Sequence, residues 1–337
     1  MADFLQINEA QKEYLAQAVA PSTAAAYKRA FTEWETKAAQ WGVPAVPVTP
    51  LVFGNFIAEL MKNKASLAKI NLLTAAVADR HWSQYETSPT ENFTFRRLMT
   101  GIRRKHAKAP QSKAPFTIKI LEDAYQLVKE SGRLQEWRTL ARMNMEFYGT
   151  LRWDEVSSLK LSHIQTNPQG LVIQIGKSKT DQIGKGDFKP ILASNTPSCP
   201  VNIINTYIGM LRYDKKVNGF FQPRIVTDTE GLQRGVANKK LAYTAALDDL
   251  KLLMSFLGQD PDAFGEHSGR RGGATLASEA GVAWTDLKMH GGWSSDAAAQ
   301  KYIEATAKKR NTVPKALAEA SQDGQQRHRN KTHPGFG

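Results

Sequence analysis

A single cysteine, Cys199, stands in the 337 residues. One thiol can build neither a disulfide framework nor a cysteine-rich zinc or iron–sulfur centre, so a reduced, intracellular compartment is expected. Long apolar runs are missing as well: none approaches the roughly 20 residues that a membrane helix needs, and the mean hydropathy is −0.44. The first 20 residues mix Asp3, Glu9, Lys12 and Glu13 among apolar ones. They show neither the cationic start nor the apolar block of a secretion signal, which predicts a soluble protein not exported by that route. Internal repeats and long low-complexity runs are absent. Hydrophobic residues nevertheless make up 41% and aromatic ones 9%, with seven Trp, enough for a packed core and too much for a disordered basic chain.

Acidic residues are in deficit, 32 Asp and Glu against 45 Lys and Arg, a formal net charge of +13. That excess points to a polyanionic partner. It is concentrated: residues 61–115 carry 11 basic and 3 acidic residues, and 305–337 carry 7 and 2, while the rest of the chain is near balance. Arg96, Arg97, Arg103, Arg104, Lys105 and Lys108 fall at spacings of about one and two turns on a predicted helix. They give it one basic side suited to phosphate contact.

The hydrophobic pattern is mainly helical. Tyr27, Phe31, Trp34, Ala38 and Trp41 recur at four- and three-residue steps behind a candidate cap, Ser22, and Gly42 ends the pattern. Further helices are predicted from Leu51, over 66–82 and over 93–107. Four helices in a little over one hundred residues form an N-terminal helical bundle, assigned to residues 1–108. The segment 109–116, with Pro110 and Pro115 and no apolar period, reads as a linker. Helices resume at 118–130 and 135–148. The strongest β signal is Gly170–Gly176, a charged turn, and a returning strand over 188–192. Residues 117–320 are thus an α-rich domain with a small antiparallel β-sheet, and 321–337 a flexible basic tail.

Three segments carry chemistry. In Tyr148-Gly-Thr-Leu-Arg-Trp-Asp-Glu155, a helix stop and tight turn hold Arg152. Asp154 is the expected cap of the next helix, and Glu155 can reach back to the turn as an acceptor. In Glu266-His-Ser-Gly-Arg270, His267 and Arg270 lie three apart and can grip one anion together. In His290-Gly-Gly-Trp-Ser-Ser-Asp296, the glycines end one helix and Ser294 or Ser295 caps the next, placing Tyr302 two turns into it. Each motif by itself is weak, because short matches of this kind arise by chance.

In this order and spacing the segments resemble the tyrosine recombinase (phage integrase) family, over nearly the whole chain. The family's Gly-x-Arg-x-x-Glu turn is matched by Arg152 and Glu155, with the glycine one residue early at Gly149. Its His-x-x-Arg motif matches His267 and Arg270, and its nucleophile is matched by Tyr302, nine residues after Trp293. Most members have His where Trp293 stands; a Trp there is similar to the Cre branch. Arg271, where many members have His, receives no catalytic role. The family's β-turn lysine resembles Lys179, which precedes Thr180, better than Lys177.

The resemblance implies a DNA strand transferase that cuts and rejoins DNA through a 3′-phosphotyrosyl intermediate, without metal or other cofactor. It implies double-stranded DNA with an inverted-repeat site as partner, a tetramer on two sites, and a segment after Tyr302 (312–320) that docks on a neighbouring protomer. The physical chemistry agrees. Attack on a phosphodiester loads negative charge onto the non-bridging oxygens, which two guanidiniums, Arg152 and Arg270, can clamp. A tyrosine, with an ordinary pKa of about 10, becomes a nucleophile when cations stabilise the phenolate and His267 moves the proton. Lys179 can protonate the leaving 5′-oxygen, and Trp293 can donate its indole N–H. A topoisomerase IB-like relaxing enzyme and a catalytically silent DNA-binding protein of the same fold are the alternatives. Bacterial cytoplasm and nucleus are both open.

Overall fold

The structure, a computed structural model, describes residues 13–14, 17–85, 87–107, 112–176, 186–213, 217–303, 311 and 314–315. The chain divides into two compact units, Met1–Gln111 and Ser112–Gly337.

In the first unit, α1 (Pro21–Gln40), α2 (Pro50–Lys62), α3 (Leu67–Trp82) and α4 (Phe93–His106) bury one apolar face each. Their starts follow local chemistry: side-chain oxygens of Thr49, Ser66 and Asn92 accept from the first free N–H groups of α2, α3 and α4. Ser22 is not a cap. The helix begins one residue earlier at Pro21, where a missing N–H leaves nothing unsatisfied. Trp34 is fully buried, donates its indole N–H to Ala45 O at 2.9 Å, and packs against Phe53 and Phe56 with ring centroids 5.4 and 5.2 Å away. Phe53 stacks in turn on Phe95 of α4.

The second unit is built around α6 (Leu134–Tyr148), in which 12 of 15 residues are buried. A helix apolar only on one side would not survive there. Its buried Arg138 and Arg142 are instead spent on neighbours. Arg138 donates to Asp249 Oδ2 at 2.5 Å and to Pro223 O at 2.7 Å; Arg142 donates to Ala246 O at 2.9 Å. The bonds to Asp249 and Ala246 fasten α9 (Tyr243–Phe256) to α6. Around them lie α5 (Ile118–Ser131), α8 (Pro200–Leu211) and α10 (Ser268–Glu279).

A three-stranded antiparallel sheet of β1 (Ile164–Asn167), β2 (Gly170–Ile175) and β3 (Asp187–Leu192) flanks this core, with Ile173 opposite Lys189. A second antiparallel pair, β4 (Pro223–Thr227) and β5 (Gln233–Lys240), has no counterpart in the sequence pattern. Its longer strand, β5, is largely polar and lacks alternation.

Residues 112–116 do not behave as a linker. Ala114 N–H donates to Ala263 O at 2.7 Å, Phe116 N–H donates to Ser268 O at 3.0 Å, and Phe116 is buried in the core of the second unit. The expected docking segment 312–320 lies outside the described residues apart from Pro314 and Lys315, and the expected tail lies wholly outside them.

Candidate active site

The sharp stop of α6 begins the site. At Thr150 the backbone takes φ +48°, the left-handed region that glycine enters most easily. This is the position at which the Gly-x-Arg pattern places its glycine. The turn delivers Arg152 to the N-cap of α7 (Trp153–Ser158). Asp154, expected as the cap, lies inside the first turn. Glu155 closes the corner instead, accepting from Arg152 N–H at 2.7 Å and from Arg152 Nη1 at 2.6 Å. The carboxylate thus fixes both the backbone and the head group of Arg152.

Opposite this corner, α10 carries His267 at its N-cap and Arg270 in its first turn. Arg270 is 1% exposed and donates through Nη1 to Thr150 O and through Nη2 to Gly291 O. Burial and the nearby charge of Arg152 pull its pKa down to about 10, against the raising effect of Tyr302 and Glu155. It keeps its charge at neutral pH. His267 is half-exposed, and its pKa lies below the ordinary imidazole range. Burial is the main cause, reinforced by Arg270, Arg152 and Arg271 and opposed by Glu266, whose Oε1 is 3.4 Å from Nε2.

Between the two arginines lies the C-terminal end of α11 (Trp284–Gly291). Four successive carbonyls there are each held by a different side chain. Lys189 Nζ donates to Met289 O (3.4 Å), Thr150 Oγ1 to His290 O (3.3 Å), Arg270 Nη2 to Gly291 O, and Arg152 Nη2 to Gly292 O (3.4 Å). A helix C-terminus carries partial negative charge, so it suits these cations.

Trp293 follows, 7% exposed, its ring lying over Gly291, where an added Cβ would fall 1.9 Å from Cζ3. The Arg270 guanidinium lies 4.3 Å from the Trp293 ring centroid and 4.9 Å from that of Tyr302. Tyr302 packs on Trp293 (5.3 Å) and meets His267 edge-on (5.6 Å, 84°). Tyr302 is not two turns inside a helix: α12 (Asp296–Gln300), capped by Ser295 Oγ, is five residues long and ends before it. Among the described residues, Arg270 Nε and Trp293 Nε1 are buried without a hydrogen-bond partner.

The structure therefore brings together Arg152, Glu155, His267, Arg270, Trp293 and Tyr302. Lys179 and Lys177 lie outside the described residues, between the ends of β2 and β3. Sequence reasoning passed over Lys189, which is 6% exposed and paired with Asp187 at 2.5 Å. Its signal was its register, two residues from Ile191 and so on the same inward face of β3. In the first unit, α4 turns Phe95, Met99 and Ile102 inward and leaves Arg96, Arg97, Arg103, Arg104 and Lys105 exposed. Lys108 lies outside the described residues. No helix among the described residues is long and apolar enough to cross a membrane, and no group of three or more His, Cys, Asp or Glu among them is arranged to hold a metal ion.

No protein-family model matches the chain. Among curated proteins it is similar to an integrase/recombinase xerD homolog of Selenomonas ruminantium, 24% identical over 305 residues that cover 87% of this chain and 84% of that one. Among solved structures it is similar to the integrase of transposon Tn1549 in complex with transposon right end DNA, with a TM-score of 0.60 and 14% identity over 92% of this chain and 98% of the other. It is also similar to the XerH site-specific recombinase bound to a palindromic difH substrate in a post-cleavage complex, with a TM-score of 0.58 and 14% identity over 88% and 79% of the two chains. The fold, mainly helical with small antiparallel sheets, is that of the tyrosine recombinases.

Proposed function

We propose that this chain, having the tyrosine recombinase fold, is a site-specific DNA recombinase of that family that cuts and rejoins DNA through a 3′-phosphotyrosyl intermediate. The observation that carries this reading is the convergence on Tyr302. Its ring touches His267 and Trp293 and lies 4.9 Å from the Arg270 guanidinium, beside two buried N–H donors that have no acceptor among the described residues. Such donors fit phosphate oxygens.

In the cleavage step the Tyr302 oxygen attacks the scissile phosphorus and gives its proton to neutral His267. The bond to the 5′-oxygen breaks, and that oxygen takes a proton from Lys179. Arg152, oriented by Glu155, and Arg270 carry the charge that grows on the non-bridging oxygens. Trp293 donates its indole N–H to one of them, and a tryptophan in that role supports the reading of the chain as similar to the Cre branch. In the reverse step the 5′-hydroxyl of a partner strand attacks the phosphotyrosine and frees the phenol. The bond energy is stored in the intermediate, so no nucleotide cofactor is drawn on, and the guanidiniums stabilise the charge that a metal would otherwise carry. The exposed basic face of α4 supplies phosphate contacts on double-stranded DNA, and four protomers act on two inverted-repeat sites.

A nicked DNA substrate that traps the cut strand tests this reading in the presence of EDTA. The wild-type protein forms a covalent adduct and exchanges strands. Tyr302→Phe binds with unchanged affinity and forms none. An adduct in Tyr302→Phe moves the nucleophile elsewhere; on a supercoiled plasmid carrying two sites, relaxation without exchange indicates a topoisomerase-like enzyme, and binding with neither adduct nor relaxation indicates a silent relative.

A further inference from the structure

The segment that bears Tyr302 receives little support from its own helix. After α12 ends at Gln300, Tyr302 N–H still donates to Ala299 O at 2.9 Å, but the carbonyls of Lys301 and Tyr302 accept from outside that helix. The donors come from α10. Arg271 Nη1 donates to Lys301 O at 2.9 Å, and Thr275 Oγ1 donates to Tyr302 O at 3.4 Å. Arg271 and Thr275 are four residues apart and so lie on one side of α10, one and two turns beyond His267, with Arg271 directly following Arg270.

We propose that Arg271 and Thr275 are positioning residues that hold the backbone of the nucleophile segment in register with the phosphate-binding groups. This rests on the reading of Tyr302 as nucleophile. One rigid helix then fixes both partners of the reaction. Its start carries His267 and Arg270, and Arg271 and Thr275, one turn apart on the same helix, grip the carbonyls on either side of the tyrosine's Cα. The distance from the phenol to the Arg270 guanidinium is set through α10 rather than through the loop that joins α11 to α12. Misplacement of a reacting group by about 1 Å costs about 100-fold in rate, so two hydrogen bonds to a short, frayed segment are enough to matter. Arg271 acts here through Tyr302 and does not touch DNA.

The test is single-turnover adduct formation on nicked DNA at saturating concentration, with DNA affinity and thermal unfolding measured alongside. Arg271→Ala is expected to slow adduct formation about 10- to 100-fold with unchanged DNA affinity. Arg271→Lys restores most of the rate, because one ammonium N–H suffices for one carbonyl. Thr275→Val slows the reaction less, and Thr275→Ser restores it. On a substrate whose scissile phosphate is replaced by a neutral methylphosphonate, an arginine that compensates phosphate charge becomes less necessary, whereas the Arg271→Ala deficit remains whole. Loss of the deficit on that substrate, a fall in affinity at unchanged rate, or wild-type rates in both Ala and Val variants would each overturn the proposal. An adduct formed by Tyr302→Phe, or none formed by the wild-type protein, overturns the reading beneath it instead.

Discussion

Arg152 and Arg270 donate to adjacent carbonyls, those of Gly292 and Gly291, at the C-terminal end of α11. Two guanidiniums side by side repel one another, and Arg270 is buried besides. The helix end offers what a phosphate offers, oxygen acceptors in a region of negative potential, and so keeps the pair assembled. Preorganisation of this kind spares the reaction the free energy of gathering like charges at the moment of attack.

Gly291 is the position at which this arrangement has no slack. A methyl group there would overlap the Trp293 ring, so Gly291→Ala must push the indole off Tyr302 and Arg270. Adduct formation is expected to fall at least about 10-fold and stability by about 1–3 kcal/mol, with DNA affinity little changed. Single-turnover kinetics and thermal unfolding read the two effects separately, and unaltered cleavage would show that the ring's placement is unimportant.

Lys179→Ala is expected to cleave an ordinary phosphodiester poorly and to recover on a substrate with a 5′-bridging sulfur, whose leaving group needs no proton. Arg152→Ala, which loses charge stabilisation, does not recover. Rescue of Lys177→Ala in place of Lys179→Ala would transfer the acid by two residues. Rescue of Lys189→Ala would bring the buried lysine of β3 into the role.

Replacing Arg103, Arg104 and Lys105 with neutral residues should weaken binding to specific and random DNA alike. The slope of log affinity against log salt should shrink by about 0.9 for each phosphate no longer neutralised. Filter binding across a salt series measures it, and an unchanged slope leaves this face of α4 merely hydrated.

Glu146 gives a pH dependence of stability. It is fully buried on α6 against Gly269, and that burial pushes its carboxyl up to about 7, opposed by Arg142 and aided by Glu266. Between the unfolded value of 4.5 and about 7 the folded protein therefore holds more protons than the unfolded chain, and stability falls as pH rises through that window. Glu146→Gln removes this slope. Relative to wild type the variant should gain about 1–3 kcal/mol on going from pH 5 to pH 8, read as the shift in urea midpoint. The same difference at both pH values would contradict it.

Much of this was legible in the chain itself, for a physical reason that varies by element. The helices of the first unit and α5 were readable because an apolar residue every three or four positions is what one-sided burial demands. The exposed cations of α4 were readable because they fall opposite Phe95, Met99 and Ile102. The motif residues Arg152, His267, Arg270, Trp293 and Tyr302 were named because, in order and spacing, their segments resemble the motifs of the tyrosine recombinase family. The β4–β5 pair was not readable, since β5 is polar and the few apolar residues of β4, Pro223, Ile225 and Val226, are too short a run to show a period. Nor was the inward Lys189, whose only mark is its register.

By itself, then, the sequence determined which faces must be buried, since that follows from local period, and through its resemblance to a family it singled out the side chains proposed for phosphoryl chemistry. The tertiary structure alone decided what those side chains hold. Arg152 meets Gly292 across 140 positions, Arg270 meets Thr150 across 120, and Arg271 meets Lys301 across 30. Each of these bonds ends on a backbone carbonyl, which every residue possesses and which therefore leaves no trace in the order of amino acids.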